Sequence, residues 1–244
     1  MRDRLRALLQ KEARQITRSR RTVVAALTVP TLMLVVVTLG DILALKIGFG
    51  SHRIYLLSSA RSVSPETLLR HFSLPILVTI SSLVTPSILM GDVLLGERER
   101  RTLELLVALP ITALDVVLAK LGAVLGFALS VTIPVFLLNV AIVSLFGYAT
   151  PLQEAALGGL LLAAVLYSAG SGLLVALLAG EPRAANIVSG LVLGPVVPVE
   201  GLILTVVPGN GAIILSVAVL GVLAVGVLFW SLSSASFERL VGAL

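Results

Sequence analysis

Apolar residues fall into six long blocks, separated by short stretches that are polar or rich in helix breakers. The blocks cover residues 23–45, 74–95, 113–146, 155–179, 186–207 and 212–232. At about 1.5 Å rise per residue, a helix of such length reaches the roughly 30 Å thickness of a hydrocarbon core. Alternating ten-residue strands, the mark of a transmembrane barrel, do not occur in the sequence. Helices satisfy their backbone groups internally, so the pattern predicts an all-α integral membrane protein with six transmembrane helices forming one domain over 1–244.

The stretches between and within the blocks have patterns of their own. Over residues 1–22, Leu5, Leu8, Leu9, Ala13 and Ile16 share one helical face, while Arg4, Arg14 and Arg18 belong to the basic remainder. This predicts an interfacial amphipathic helix lying flat against anionic membrane lipid. The third block would run about 50 Å as a helix, so its start must project from the membrane. Thr112 and Asp115 have the spacing of a capping box at that start, and Pro134 is expected to kink the helix farther along. Gly158, Gly159, Ser168, Gly170, Ser171 and Gly172 give the fourth block a seam for close helix packing. Gly194, Pro195, Pro198 and Gly201, followed by Pro208, Gly209 and Gly211, predict a broken or re-entrant region between the fifth and sixth spans. The carbonyls freed there need cover from protein or from a polar cavity.

Composition and charge narrow the function. The chain is 57% hydrophobic and 13% charged, whereas soluble chains are about one-quarter charged, which excludes a soluble enzyme and a disordered chain. It has no cysteine, which excludes thiol catalysis, cysteine-ligated metal and redox switching. Of the 18 Lys and Arg, only Lys46, Arg53, Arg61 and Arg70 lie in the loop after the first span. The others lie before the first span, between the second and third, between the fourth and fifth, or in the tail. By the positive-inside rule both termini are cytoplasmic, and the basic excess sets topology rather than binding nucleic acid; the expected location is the plasma membrane of a prokaryote. The first block is too long for a cleaved signal and reads as a retained span. His52 and His71 have no companion ligands at metal-binding spacing and read as part of a solvated loop, with no metal site.

Few polar residues lie at membrane depth. Glu200 stands about 21 Å along a helix counted from Asn186, inside the core. Intramembrane carboxylates are costly and often functional. A coupling-ion site, a cargo contact and an interhelical hydrogen bond each account for it, and prolines that lift it to the outer surface would make it an ordinary interfacial acid. Glu200, Asn139, Pro195 and Pro198 are the translocation-path candidates, with Asn139 also suited to joining helices by hydrogen bonds.

Between the second and third spans, residues 97–110 predict a short amphipathic helix on the cytoplasmic side. Leu103, Leu106, Val107 and Pro110 share its apolar face, bordered by Glu and Arg in alternation. Glu97-Arg98-Glu99, then Thr102-Leu103-Glu104-Leu105-Leu106, Pro110 and Lys120 resemble the membrane subunits of type-2 ATP-binding-cassette (ABC-2) exporters, with Arg101 where that family often has Gly. The connection Gly180-Glu181-Pro182-Arg183-Ala184-Ala185-Asn186 is similar to the sodium-export (NatB-like) branch. The resemblance implies that 97–110 is a coupling helix. Glu97, Arg98, Arg101, Thr102, Leu103, Glu104, Leu106 and Pro110 would then dock into a separate ABC ATPase subunit. It also implies that helix 1–22 touches that subunit, and that the permease pairs with a second copy or a related permease. No Gly-x-x-x-x-Gly-Lys-[Ser/Thr] loop occurs, so Mg-ATP would be bound by the partner ATPase and the chain itself is neither an enzyme nor in need of a cofactor. The expected function is outward transport by alternating access. A haem- or lipid-handling six-span ABC permease is the nearest alternative. A secondary transporter would show an inverted repeat and paired charges at mid-membrane. An intramembrane enzyme would need a motif such as His-Glu-x-x-His or Gly-x-Ser-x-Gly, and neither occurs.

Overall fold

A computed structural model describes residues 2–47, 54–55, 62–90, 93, 112–178 and 182–235, with side chains from 7–47, 64–90, 93, 112–178 and 188–235. Six helices in it are long and apolar enough to cross a membrane: Arg20–Ile47, Pro65–Met90, Ala113–Leu145, Pro151–Leu178, Val188–Val206 and Asn210–Ser233. The protein is thus an all-α integral membrane protein, as the six blocks predict. An antiparallel pair of two-residue strands, β1 (Ile54–Tyr55) and β2 (Ser62–Val63), lies in the loop after the first span, with Ile54 opposite Val63.

The amphipathic helix α1 (Arg2–Arg18) ends at an elbow on Ser19, whose extended backbone starts α2 (Arg20–Pro30). The first span therefore begins at Arg20 rather than at residue 23, with Arg20 and Arg21 exposed on its first turn. Long basic side chains at a span end reach the interface while their stems stay on apolar surface. A π-helical turn, Thr31–Val37, joins α2 to α3 (Thr38–Ile47). Pro30 supplies no N–H at this point, and Thr31 Oγ1 donates back to the Leu27 carbonyl at 2.7 Å.

The second span starts at Pro65, earlier than the apolar block, because Ser64 caps it by accepting from Thr67 N at 3.3 Å. Proline in the first helical turn supports that start. The span continues from α4 (Pro65–Leu68) through a π-helical turn, Leu69–Ser73, into α5 (Leu74–Met90). Next, α6 (Ala113–Leu145) is one helix of 33 residues. Its capping box is complete: Asp115 N donates to Thr112 Oγ1 at 3.2 Å and Thr112 N donates to Asp115 Oδ2 at 3.3 Å. Its far end turns at Gly147, whose φ of +73° is open to glycine at little cost.

At the centre stands α7 (Pro151–Leu178), 83% buried over its most apolar stretch, against 61% for the second span and 17–39% for the rest. The glycine seam explains how neighbours come so close. A Cβ on Gly172 would lie 2.9 Å from Met90 Cβ in α5, and one on Gly170 would lie 3.0 Å from Leu228 Cγ in the last helix. The seam therefore serves two neighbours on different sides of α7.

The fifth span is broken within itself. α8 (Pro182–Leu193) and α9 (Val196–Val206) meet at a turn on Gly194 and Pro195, and a second break at Val207–Gly209 precedes α10 (Asn210–Ser233). The carbonyl ends of α8 are partly covered, since Tyr167 Oη of α7 donates to the Val192 carbonyl at 2.9 Å. This is the protein cover that the proline-rich pattern demands. At the face opposite α1, Arg70 Nη2 donates to the Gly147 carbonyl at 2.6 Å and Gln153 Nε2 donates to the Arg70 carbonyl at 2.5 Å. Ser73 Oγ donates to Asp41 Oδ2 at 2.7 Å, so the ends of the first four spans are joined there.

Candidate functional site

Among the described residues, buried ionisable side chains lie in two places. The first is the junction of α1 with the projecting start of α6. Lys120 Nζ donates to Glu12 Oε2 at 3.1 Å, and both residues are buried. Leu9 packs against Gly122, where an added Cβ would meet the leucine Cδ1 at 3.3 Å, and Ile16 is buried. The apolar stripe of α1 thus packs on protein, not only on lipid as its amphipathic pattern suggests. Arg14 and Arg18 are exposed on its other faces, and the side chain of Arg4 lies outside the described residues. Glu12 is the residue that sequence reasoning missed. An acid placed between Leu8, Leu9 and Ile16 on the apolar face was the available signal, because a carboxylate there needs a buried cation.

The predicted docking residues Glu97, Arg98, Arg101, Thr102, Leu103, Glu104, Leu106 and Pro110 all lie outside the described residues. In the chain they stand between the buried end of α5 at Met90 and the capped start of α6 at Thr112.

The second place is a cavity of about 120 Å³ between α8, α9 and α10, with Tyr167 of α7 at its back. Glu200, Ser216, Val196, Leu220 and Tyr167 are its buried floor, while Pro195, Val199 and Leu223 are exposed at its rim. Glu200 is 2% exposed, and neither carboxylate oxygen has a hydrogen-bond partner among the described residues. Thr79 of α5 faces this carboxyl group without closing a hydrogen bond, and the hydroxyls of Thr79 and Ser216 are likewise unpartnered. Glu200 is six residues from the end of α9 and Ser216 six from the start of α10, so each lies about 9 Å in from the face opposite α1. Two translocation-path candidates, Pro195 and Glu200, therefore share one cavity, and Pro198 is exposed and does not line it.

Asn139 lies elsewhere. Its amide donates to the Leu34 carbonyl, within the π-helical turn, and to Thr38 Oγ1 at 2.9 Å. It ties the third span to the first where the wider turn leaves carbonyls to be satisfied. Ser216 and Thr79 were not legible as site residues, since a single hydroxyl in an apolar helix usually bonds its own backbone.

A family model described as ABC-2 family transporter protein matches residues 6–210, from α1 through the first residue of α10. No curated protein matches the chain.

Proposed function

This chain belongs to the ABC-2 transporter family, and from that premise we propose that it is the membrane subunit of an ATP-driven exporter that works with a separate ATPase subunit. The family membership makes it a transporter permease, a multi-pass membrane protein and not itself an enzyme. Mg-ATP belongs to the partner. Residues 97–110 form the coupling segment, with Glu97, Arg98, Arg101, Thr102, Leu103, Glu104, Leu106 and Pro110 as the docking residues. The permease pairs with a second copy or a related permease in the plasma membrane of a prokaryote, termini inside, and moves cargo outward by alternating access. The likeness of the 180–186 connection to the sodium-export branch supports a place in that branch.

One observation carries the mechanical part of this reading: the buried ion pair between Lys120 and Glu12. α6 begins immediately after the coupling segment, and its first turn is capped by Thr112 and Asp115. A push on 97–110 is delivered to α6, crosses the ion pair to α1, and reaches the first span through the elbow at Ser19. Both arms of the cytoplasmic side then move as one lever. The test is co-purification of the ATPase with the full chain from its native membrane. Leu103→Asp combined with Glu104→Arg is expected to abolish co-purification while leaving the amount of folded permease unchanged. Retention of the ATPase by this variant overturns the docking assignment.

A further inference from the structure

The geometry points to a binding site for a lipophilic amine, a monocation with a small apolar body, in the cavity whose floor is Glu200. Charge comes first. A carboxyl group buried at membrane depth with no cation and no hydrogen bond among the described residues is the costliest polar arrangement in this fold. The two oxygens of Glu200 and the hydroxyl of Ser216 are unpartnered among the described residues, and both residues line the cavity. A primary ammonium offers three N–H donors to such acceptors, and its hydrogen bonds to carboxylate are charge-assisted. Tyr167 lines the same floor.

The walls exclude other occupants. Apart from these groups and Tyr167, the lining is Val, Ile, Leu and Pro. A calcium ion takes six to eight oxygen ligands, and a desolvated sodium ion likewise needs an oxygen cage, which aliphatic walls do not supply. An anion meets a carboxylate, and a hydrocarbon tail alone leaves that carboxylate unpaired. The volume of about 120 Å³ is close to that of the roughly 150 Å³ apolar cavities that admit a benzene ring, so the body adjoining the nitrogen is of that size. Access fits too. Val199 and Leu223 at the rim are exposed, 45% and 46%, so the mouth opens between α9 and α10 at membrane depth. A ligand already dissolved in the bilayer enters sideways, nitrogen first. That this site serves cargo rests on the transporter reading. That it binds amines does not.

The experiment uses the full chain in phosphatidylcholine nanodiscs without ATP, with tritiated 4-phenylbutylamine as the probe and empty nanodiscs as the partition background. Saturable binding is expected, displaced by the unlabelled amine but not by the matching alcohol or carboxylate. Glu200→Gln is expected to weaken it about tenfold or more, the usual loss for a charge-assisted hydrogen bond. Leu223→Trp, which keeps the carboxyl group and fills the exposed mouth, is expected to weaken it comparably, and it decides the matter if Glu200→Gln does not fold. Absence of saturable binding overturns the proposal. So does equal displacement by the alcohol, undiminished binding in both variants, or saturable binding of radiolabelled sodium in the amine's place. Because no ATPase is present, loss of amine binding leaves the docking reading standing, and failed co-purification leaves the amine site standing.

Discussion

Lys120 and Glu12 are the pair whose loss would be felt most. Each is buried, and each answers the charge of the other across two elements distant in sequence. Removing one partner of a buried pair costs about 3–5 kcal/mol when the remaining charge is left uncompensated, and here Glu12 keeps the half-exposed Lys11 at 3.5 Å, so the loss falls toward the lower end. Lys120→Met is therefore expected to lower the melting temperature of the purified permease strongly. The double variant Glu12→Leu with Lys120→Met removes both charges at similar volume and is expected to recover most of the loss. A double variant no more stable than the single one would mean that the pair is not what holds α1 to α6. Lys120 is conspicuous in the sequence, being one of three lysines in an arginine-rich chain, but nothing in its neighbourhood named Glu12. A helical stripe shows that a face is buried and is silent on what buries it.

Close helix approach is decided at the level of the element. α7 is the central helix, and its glycines face α5 on one side and α10 on the other. Gly172→Val puts a branched side chain where even a Cβ lies 2.9 Å from Met90 Cβ. Overpacking of this kind costs about 1–3 kcal/mol, and the expected result is a lower midpoint in thermal or denaturant unfolding. Gly226→Ala is the matched control, since nothing lies within 4 Å of its added Cβ. Alanine there is expected to be neutral or to stabilise the helix by up to about 1 kcal/mol. Equal losses at both positions would refute the seam. The small residues were visible in the sequence as a seam, yet not their division between two partners. The break at Gly194–Pro195 was visible as well, but the phenol of Tyr167 that covers Val192 became evident only once the two helices were adjacent.

For the whole molecule, sidedness is the testable property. The chain has no native cysteine, so single cysteines report their own position without background. Cysteine at Arg14 is expected to resist a membrane-impermeant maleimide in intact cells and to react after permeabilisation, while cysteine at Glu66 is expected to react in both. The reverse pattern would invert the topology and place residues 97–110 on the wrong side for any ATPase. Six spans, the amphipathic first helix, the capped and overlong third span and a proline- and glycine-rich break before the sixth were legible from the order of residues, although the first break falls within the fifth span. Each depends on local periodicity, on bilayer thickness and on the backbone chemistry of proline and glycine, which neighbours in sequence suffice to express. Glu200 was legible as an anomaly for the same reason, since its cost is set by depth alone. Only the tertiary structure put Thr79 and Ser216 beside that carboxyl group, moved Asn139 to a different helix pair, and gave Lys120 its partner in α1. These are contacts between residues far apart in the chain, and which side of a nearly uniform apolar helix meets which neighbour is settled by packing, which no local pattern records.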